Sequence, residues 1–231
     1  MRADELFAFP ASLAFFAEYF PAEIEPWEWV KRIAPALAAF DFGAAREGMA
    51  VGDFPPGVSI SGSVYIHRSV RLPVRCVIEG PAWIGPEVQI RPNAYVRGNV
   101  IVGAGSVLGN SCEYKNCLLL ENVETPHYNY VGDSILGNRA HLGAGAICAN
   151  LKLARDEVKV RRPGGGLVPT GLRKLGALMG DGAEVTCNGV LQPGTILGPR
   201  SAVLAPSFHG TLAAGKLAVA RASVGIVDRP D

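Results

Sequence analysis

The run Ile78-Glu79-Gly80-Pro81-Ala82-Trp83-Ile84-Gly85-Pro86-Glu87-Val88-Gln89-Ile90 decides the fold, because it holds two successive hexads that each open on isoleucine and carry a small or branched apolar residue, Ala82 or Val88, four positions later. Working outward, the same beat reaches back through Leu72 and Ile66 to Ile60 and forward through Val96, Val102, Leu108 and Tyr114 to Leu120. The companion positions four residues on are small or apolar as well: Val64, Val70, Cys76, Ala94, Val100, Ser106, Cys112 and Leu118. A helix would bring apolar residues back at three and four, and an open strand at two; neither period survives so many repeats of six. Hexads of this kind make short strands joined by tight turns, three to a coil, with residues eighteen apart stacked at roughly 4.8 Å.

The spacing therefore predicts an all-β fold, a left-handed parallel β-helix of hexapeptide repeats, over residues 46–225. Two interruptions are expected. Past Leu120 the next in-phase residue reads as Tyr130, followed by Leu136, Leu142 and Cys148, so four extra residues should bulge in an inserted loop near 121–129. A longer excursion over 151–178, with Gly164-Gly165-Gly166 inside it, separates Cys148 from Met179, after which Val185, Leu191, Leu197 and Val203 restore the beat. Residues 1–45 follow other rules. Trp27, Trp29, Val30, Ile33, Leu37 and Phe40 read as an amphipathic helix after a shorter apolar one, a short α-helical cap expected to cover the open end of the β-helix.

Composition narrows the function. Charged residues are 19% of the 231, the formal net charge is +1 and neither sign runs in blocks, so no broad surface attracts nucleic acid or an anionic membrane. The apolar stretch from Leu6 to Phe20 is broken by Pro10 and Glu18 and reads as neither signal peptide nor membrane span. Cys76, Cys112, Cys117, Cys148 and Cys187 form no CxxC pair and no zinc spacing, which suits reduced thiols in a cytoplasmic protein. No Gly-rich phosphate loop of either common type is present.

On a repeat scaffold, chemistry belongs where the repeat breaks. The first break holds His127, whose imidazole, with an ordinary pKa near ~6.5, suits a general base; a loop histidine bonded to backbone is the plainer reading. Arg97 and Lys115 each follow an inward residue and are eighteen apart, so they should stack in neighbouring coils. Two cations that close need something negative between them: a phosphate would serve, and solvated side chains or a Lys115–Glu113 pair would serve equally. His141, fourteen residues after His127, could line the same cleft, whereas His67 and His209 read as surface and turn residues.

Together these residues resemble the C-terminal β-helix of bifunctional sugar-1-phosphate nucleotidylyltransferase/acetyltransferases, most closely the archaeal glucose-1-phosphate thymidylyltransferase type. The similarity spans about Val58 to Arg221 and is carried by Tyr95-Val96-Arg97, Gly109 to Asn116, Pro126 to Asp133, Leu142 to Ala146 with Ala149-Asn150-Leu151, and Arg173 to Ala177. It implies acetyl transfer from acetyl-CoA, as co-substrate, to the amine of a hexosamine 1-phosphate such as glucosamine or galactosamine 1-phosphate, with no metal required. His127 would be the base; Arg97, Lys115, Tyr130, His141, Asn150 and Lys159 would hold the sugar phosphate; Ala144, Cys187, Ala205 and Arg221 would contact the coenzyme. A homotrimer with sites between prisms is implied too. His141 stands where the family usually has asparagine, and Asp156 replaces one of two family lysines, leaving Lys159. No nucleotidyltransferase domain is expected in this chain. Two alternatives stay open: an acyltransferase with another acceptor, and a non-catalytic β-helix that oligomerises or regulates a separate nucleotidyltransferase.

Overall fold

The computed structural model describes residues 1–43, 47–49, 54–162 and 164–221. The expected boundary at 45 and 46 and the expected end at 225 lie outside the described residues. The chain is a left-handed parallel β-helix, as the hexads require. It winds through three flanks in turn. Flank 1 stacks eight short strands from Gly57–Ser61 to Ser207–Phe208, flank 2 eight from Val64–Ile66 to Thr211–Leu212, and flank 3 seven from Gln89–Ile90 to Leu217–Val219, all pairing in parallel within their flank. Inside the prism Ile78, Ile84, Ile90, Val96, Val102, Leu108 and Tyr114 are buried, so the beat of six is the core. Each such aliphatic side chain contributes about 1.5–3 kcal/mol by leaving water.

The first break differs from the expected four-residue bulge. Tyr114 lies opposite Val96 but also opposite Val131, so the coil shortens from eighteen residues to seventeen. The loss falls at the corner between flanks 1 and 2. There Asn116 replaces the usual two turn residues, and one coil later Asp133 does the same, since Val131 lies opposite Cys148 and Ile135 opposite Leu118. Both residues are left-handed, at φ 48° and 47°, a conformation that Asn and Asp tolerate better than other side chains. The inward series therefore runs Tyr114, Leu119, Thr125, Val131, Leu136, and neither Leu120 nor Tyr130 points into the prism. Residues 121–129 stay in register, with Glu124–His127 paired to Val107–Asn110.

In the next coil the same corner opens into the long excursion. It leaves after Asn150, forms an antiparallel hairpin of Lys159–Arg161 with Leu167–Pro169, and returns through Leu175 and Gly176, whose backbone N–H groups donate to Asn150 O and Asp133 O. The hairpin folds onto flank 2, where Val158, Val160 and Leu175 are fully buried. It does not close over His127 of its own chain, which stands at the corner between flanks 3 and 1.

The N-terminal segment covers the same flank. A 3-10 helix, Ala11–Tyr19, takes the place of the expected first α-helix, and α1 spans Glu28–Ala39, burying Trp29, Val30, Ile33, Ala36 and Leu37 on one stripe. Outward residues of flank 2, Tyr65, Trp83, Ile101, Leu118 and Ile135, meet this stripe in a second core. Phe16 packs edge-on against Trp83 at 5.5 Å, and Phe40 against Tyr65 at 5.6 Å. The segment is thus a side wall rather than an end cap: the first coil is met instead by Met49 and Phe54, which pack against the prism core and line a cavity with Val58, Ile60 and Val64. The reason is visible in the strands themselves, since flank 2 carries apolar residues on both faces and must bury both.

Candidate functional site at one flank and its two edges

Flank 1 presents two outward columns. One runs Val77, Tyr95, Glu113, Tyr130, Ile147; the other runs Glu79, Arg97, Lys115, Gly132 and then Ala149. Arg97 and Lys115 do stack in neighbouring coils. Each already faces a carboxylate: Arg97 Nη1 donates to Glu113 Oε1 at 2.6 Å, and Lys115 Nζ to Asp133 Oδ2 at 3.5 Å. Glu113 therefore serves Arg97 rather than Lys115, and the repulsion between the cations is offset from within the chain. The Glu113 hydrogen bond raises the Arg97 pKa further above its ordinary value. Both heads remain open to solvent, at 40% and 28% side-chain exposure, so an anion can still reach them.

Asp133, only 7% exposed, organises the upper half of this cluster. Its Oδ1 accepts from Asn116 Nδ2 at 2.8 Å and its Oδ2 from Asn150 Nδ2 at 2.5 Å, besides Lys115. Asn150 Nδ2 also donates to Tyr130 Oη at 3.1 Å. A carboxylate only accepts, so the Asn150 amide must turn its nitrogen inward, and its Oδ1 is left as an acceptor. Tyr130 Oη receives that bond and keeps its own hydrogen to donate. Burial, reinforced by the Asp133 charge, raises the Tyr130 pKa, so the hydroxyl stays protonated. Gly132 makes room for the arrangement: a Cβ there would lie 2.5 Å from Tyr130 Oη and 2.7 Å from Asn150 Nδ2.

The other edge of the flank is the corner that follows flank 3. Here Asn110, His127, Ala144 and Cys187 stack coil on coil; Tyr128 N donates to Asn110 O, Gly145 N to His127 O and Asn188 N to Ala144 O. Adjacent members are roughly 4.8 Å apart along the axis. His127 and Cys187 are exposed and Ala144 is half-buried. Among the described residues the His127 imidazole has no hydrogen-bond partner, so the backbone-bonded reading of this histidine does not hold; only its main chain is tied down. That tie comes from buried Asn129, whose Oδ1 accepts from His127 N at 3.2 Å while its Nδ2 donates to Gly143 O at 2.8 Å and Ala146 O at 3.2 Å.

Not every expected residue joins these two groups. Ala205 tops the His127 column, but the corner is one residue shorter there, Val203 to Phe208 against Val185 to Leu191, and its side chain turns into the core with 8% exposure. It can offer a ligand only backbone. Arg221 is exposed, just past Leu217–Val219, and follows Ala220, whose N–H donates to Leu204 O. His141 stands on the outer face of flank 3, its Nδ1 3.1 Å from Glu124 Oε2 and its backbone opposite Glu184, away from Arg97 and Lys115. Lys159 sits on the hairpin and lines a cavity of 710 Å³ with Leu151, Leu167 and His209 rather than touching Asp133 or Asn150. Asp133 lies eighteen residues after Lys115, so the count that stacks Arg97 and Lys115 reaches it too; its place beside Asn116 belongs to the seventeen-residue coil, and the ten-residue step read past Leu120 hides both. Among the described residues no group of three or more His, Cys, Asp and Glu could hold a metal ion, and no helix is long and apolar enough to cross a membrane.

Comparison with known proteins follows the same outline. The family described as "GMPPB C-terminal domain" matches residues 78–164, a window that includes Arg97, Lys115, His127, Tyr130 and Asn150. "Bifunctional protein GlmU" of Methanococcus vannielii is 34% identical over 152 residues, 66% of this chain and 36% of that protein. "Bifunctional sugar-1-phosphate nucleotidylyltransferase/acetyltransferase" of Sulfurisphaera tokodaii is 35% identical over 148 residues, 64% of this chain and 37% of that one. An uncharacterized acetyltransferase of Escherichia coli K12, YaiX, is 30% identical over 141 residues, 61% of each chain. The chain thus spans 36–37% of the length of the first two relatives. These matches bear out the resemblance read from the residues, to the C-terminal β-helix of bifunctional sugar-1-phosphate nucleotidylyltransferase/acetyltransferases.

Proposed function

We propose that the chain is an acetyl-CoA-dependent N-acetyltransferase acting on a hexosamine 1-phosphate for sugar-nucleotide synthesis in the cytoplasm. The observation that carries this is the division of flank 1: an uncommitted imidazole, His127, at one edge and a phosphate-sized set of donors, Arg97, Lys115 and the Tyr130 hydroxyl, at the other. About three strand residues, roughly 10 Å, separate the edges, a span that a sugar ring with its amine and phosphate fills once side-chain reach is added. Asn150 Oδ1 would accept from a sugar hydroxyl.

The chemistry is acyl transfer. The His127 imidazole takes a proton from the acceptor amine as its nitrogen attacks the thioester carbonyl; the new C–N bond forms, the C–S bond breaks, and the departing thiolate takes up a proton. Positioning supplies much of the rate, and no metal enters the scheme. Ala144, Cys187 and the Ala205 backbone would lie along the pantetheine arm, with Arg221 toward the coenzyme phosphates. A homotrimer suits the surfaces. Flank 2 is covered within the chain, whereas Val77 and Ile147 on flank 1 and Leu204, Leu217 and Val219 on flank 3 stay exposed and could meet neighbouring prisms.

The test is CoA release from acetyl-CoA with glucosamine 1-phosphate and galactosamine 1-phosphate, comparing the intact protein with His127→Ala. CoA release that the variant loses supports the reading. If neither sugar releases CoA and acetyl-CoA does not bind, the reading is wrong.

A further inference from the structure

The corner that follows flank 3 repeats one backbone posture coil after coil. Beside the column of Asn110, His127, Ala144 and Cys187 runs a second one, a residue further along the chain: Asn93, Ser111, Tyr128, Gly145 and Asn188. All five are left-handed, at φ 63°, 53°, 53°, 72° and 56°. Asparagine and glycine suit that conformation and serine is small, but for a bulky side chain such as tyrosine a positive φ is an outlier. Tyr128 is the one aromatic residue at positive φ among the described residues. The fold gains little in return. The side chain is 64% exposed, and among the described residues no ring packs on its own and no group bonds its hydroxyl. Its column offers nothing apolar to lie on: Ser111 stands one coil below, and over Gly145 above stands the Asn188 amide, whose Oδ1 would be 2.3 Å from a Cβ there.

Strain that the core does not repay collects where ligands bind. Tyr128 follows the uncommitted His127, and beyond the buried Asn129 comes Tyr130, whose hydroxyl joins the phosphate donors. One turn of chain thus carries the base, an unpartnered aromatic ring and a phosphate donor in succession. We propose that Tyr128 is a further acceptor-binding residue, its ring packing against the C–H face of the amino sugar's pyranose. The proposal rests on the acetyl-transfer reading and names what grips the sugar itself, as distinct from its phosphate. In that reading the coenzyme follows Ala144 and Cys187 up the axis. Tyr128, on the coil of His127 and on its flank 1 side, is left to the acceptor. A pyranose turns axial C–H groups outward on one face, and a phenol ring offers them a flat apolar body with a polar tip.

The experiment uses the full chain with glucosamine 1-phosphate and galactosamine 1-phosphate, and reads steady-state CoA release beside thermal unfolding. Tyr128→Asn gives the corner the side chain that Asn93 and Asn188 carry in the same posture. It should melt roughly 2–4 °C higher, because the backbone strain is relieved. It should also raise the acceptor KM about five- to tenfold, with kcat and the acetyl-CoA KM within about twofold of the parent, the pattern of lost ground-state binding. Tyr128→Phe keeps the ring and should restore the acceptor KM to within about twofold of the parent. A lower melting temperature in Tyr128→Asn, an acceptor KM that does not move, an equal rise in Tyr128→Phe, or a rise confined to acetyl-CoA overturns the proposal and leaves the acetyltransferase standing. No CoA release from the parent with either sugar overturns the acetyl-transfer reading, and the proposal with it.

Discussion

Asn150 gives both hydrogens of its amide away inside the protein, one of them to Asp133 Oδ2 at 2.5 Å, and so faces the flank 1 surface as an acceptor. Asp133 sets that polarity. Replacing it with alanine strips Lys115, Asn116 and Asn150 of their common partner, at a cost of about 1–3 kcal/mol in stability. The Asp133→Ala protein should show a KM for the amino-sugar acceptor raised about tenfold, with the KM for acetyl-CoA unmoved. Asp133→Asn keeps the volume but turns an N–H toward another amide, so it should show the same split with a smaller loss of melting temperature. Equal increases in both KM values would mean that Asp133 only holds the fold.

His127→Ala should lower kcat by roughly a hundred- to ten-thousand-fold, the usual contribution of a positioned base. Because the imidazole is exposed and unbonded, stability should stay within about 0.5 kcal/mol of the parent in thermal unfolding. Asn129→Ala offers the complementary result. It removes the buried amide that pins the His127 backbone to Gly143 and Ala146, and should cost both stability and rate.

Two glycines should separate packing from function. A Cβ on Gly109 would meet Thr125 O at 2.1 Å and Pro126 C at 2.2 Å, backbone that has nowhere to go. A Cβ on Gly132 meets only the ends of the Tyr130 and Asn150 side chains, which can swing aside. Gly109→Ala should therefore lose about 2 kcal/mol or more in chemical denaturation, whereas Gly132→Ala should keep most of its stability and lose acceptor affinity.

Thiol chemistry should single out Cys187. It is exposed, whereas Cys76, Cys112, Cys117 and Cys148 are buried. Burial pushes Cys76 up to about 11 and Cys148 to about 12, with Cys117 higher still. At pH 8 one thiol per chain should react with a water-soluble disulfide, and the other four only in denaturant. The sign of the linkage follows: thiols held neutral in the fold ionise first in the unfolded chain, so their contribution to stability is whole below about pH 9. It is lost as the pH rises toward 11 to 12, which alkaline unfolding curves would show.

Trp29 is 1% exposed, stacks on Phe7 at 5.2 Å and donates its indole N–H to Pro21 O at 3.0 Å. Trp29→Ala should cost about 3–5 kcal/mol by thermal unfolding. The loss should bare the apolar outer face of flank 2, which dye binding would detect.

The hexads from Ile60 to Tyr114 made the prism legible because every inward position but Ser106 carried an apolar letter. The phase slipped at Cys117-Leu118-Leu119-Leu120, where four apolar residues stand together. Only Cys117 and Leu119 face the core, while Leu118 and Leu120 face the helical wall, a partner that a repeat cannot announce. Thr125 and Ser134 deepened the error. Both point inward, with Thr125 Oγ1 donating to Val107 O at 2.9 Å and Ser134 Oγ to Gly132 O at 2.7 Å, so polar residues occupy apolar positions at no penalty. Arg97 and Lys115 were found by counting because they precede the slip. Asp133, a further eighteen residues on, is within reach of the same count and goes unnoticed only because the phase is lost at Leu120. His127 was found for its chemistry, although the loop expected around it is an ordinary corner.

Through the middle of the prism the coils measure eighteen, then seventeen, then seventeen residues, and the next, from Cys148 to Leu191, contains the whole excursion; each change falls where flank 1 turns into flank 2. Chain length at that corner is uncoupled from the pairing on either side. It works as a port in the scaffold, where loops of unrelated length can be exchanged without disturbing the His127 column across the flank. Acceptor preference could therefore drift between related chains while the machinery for the acyl group stays still.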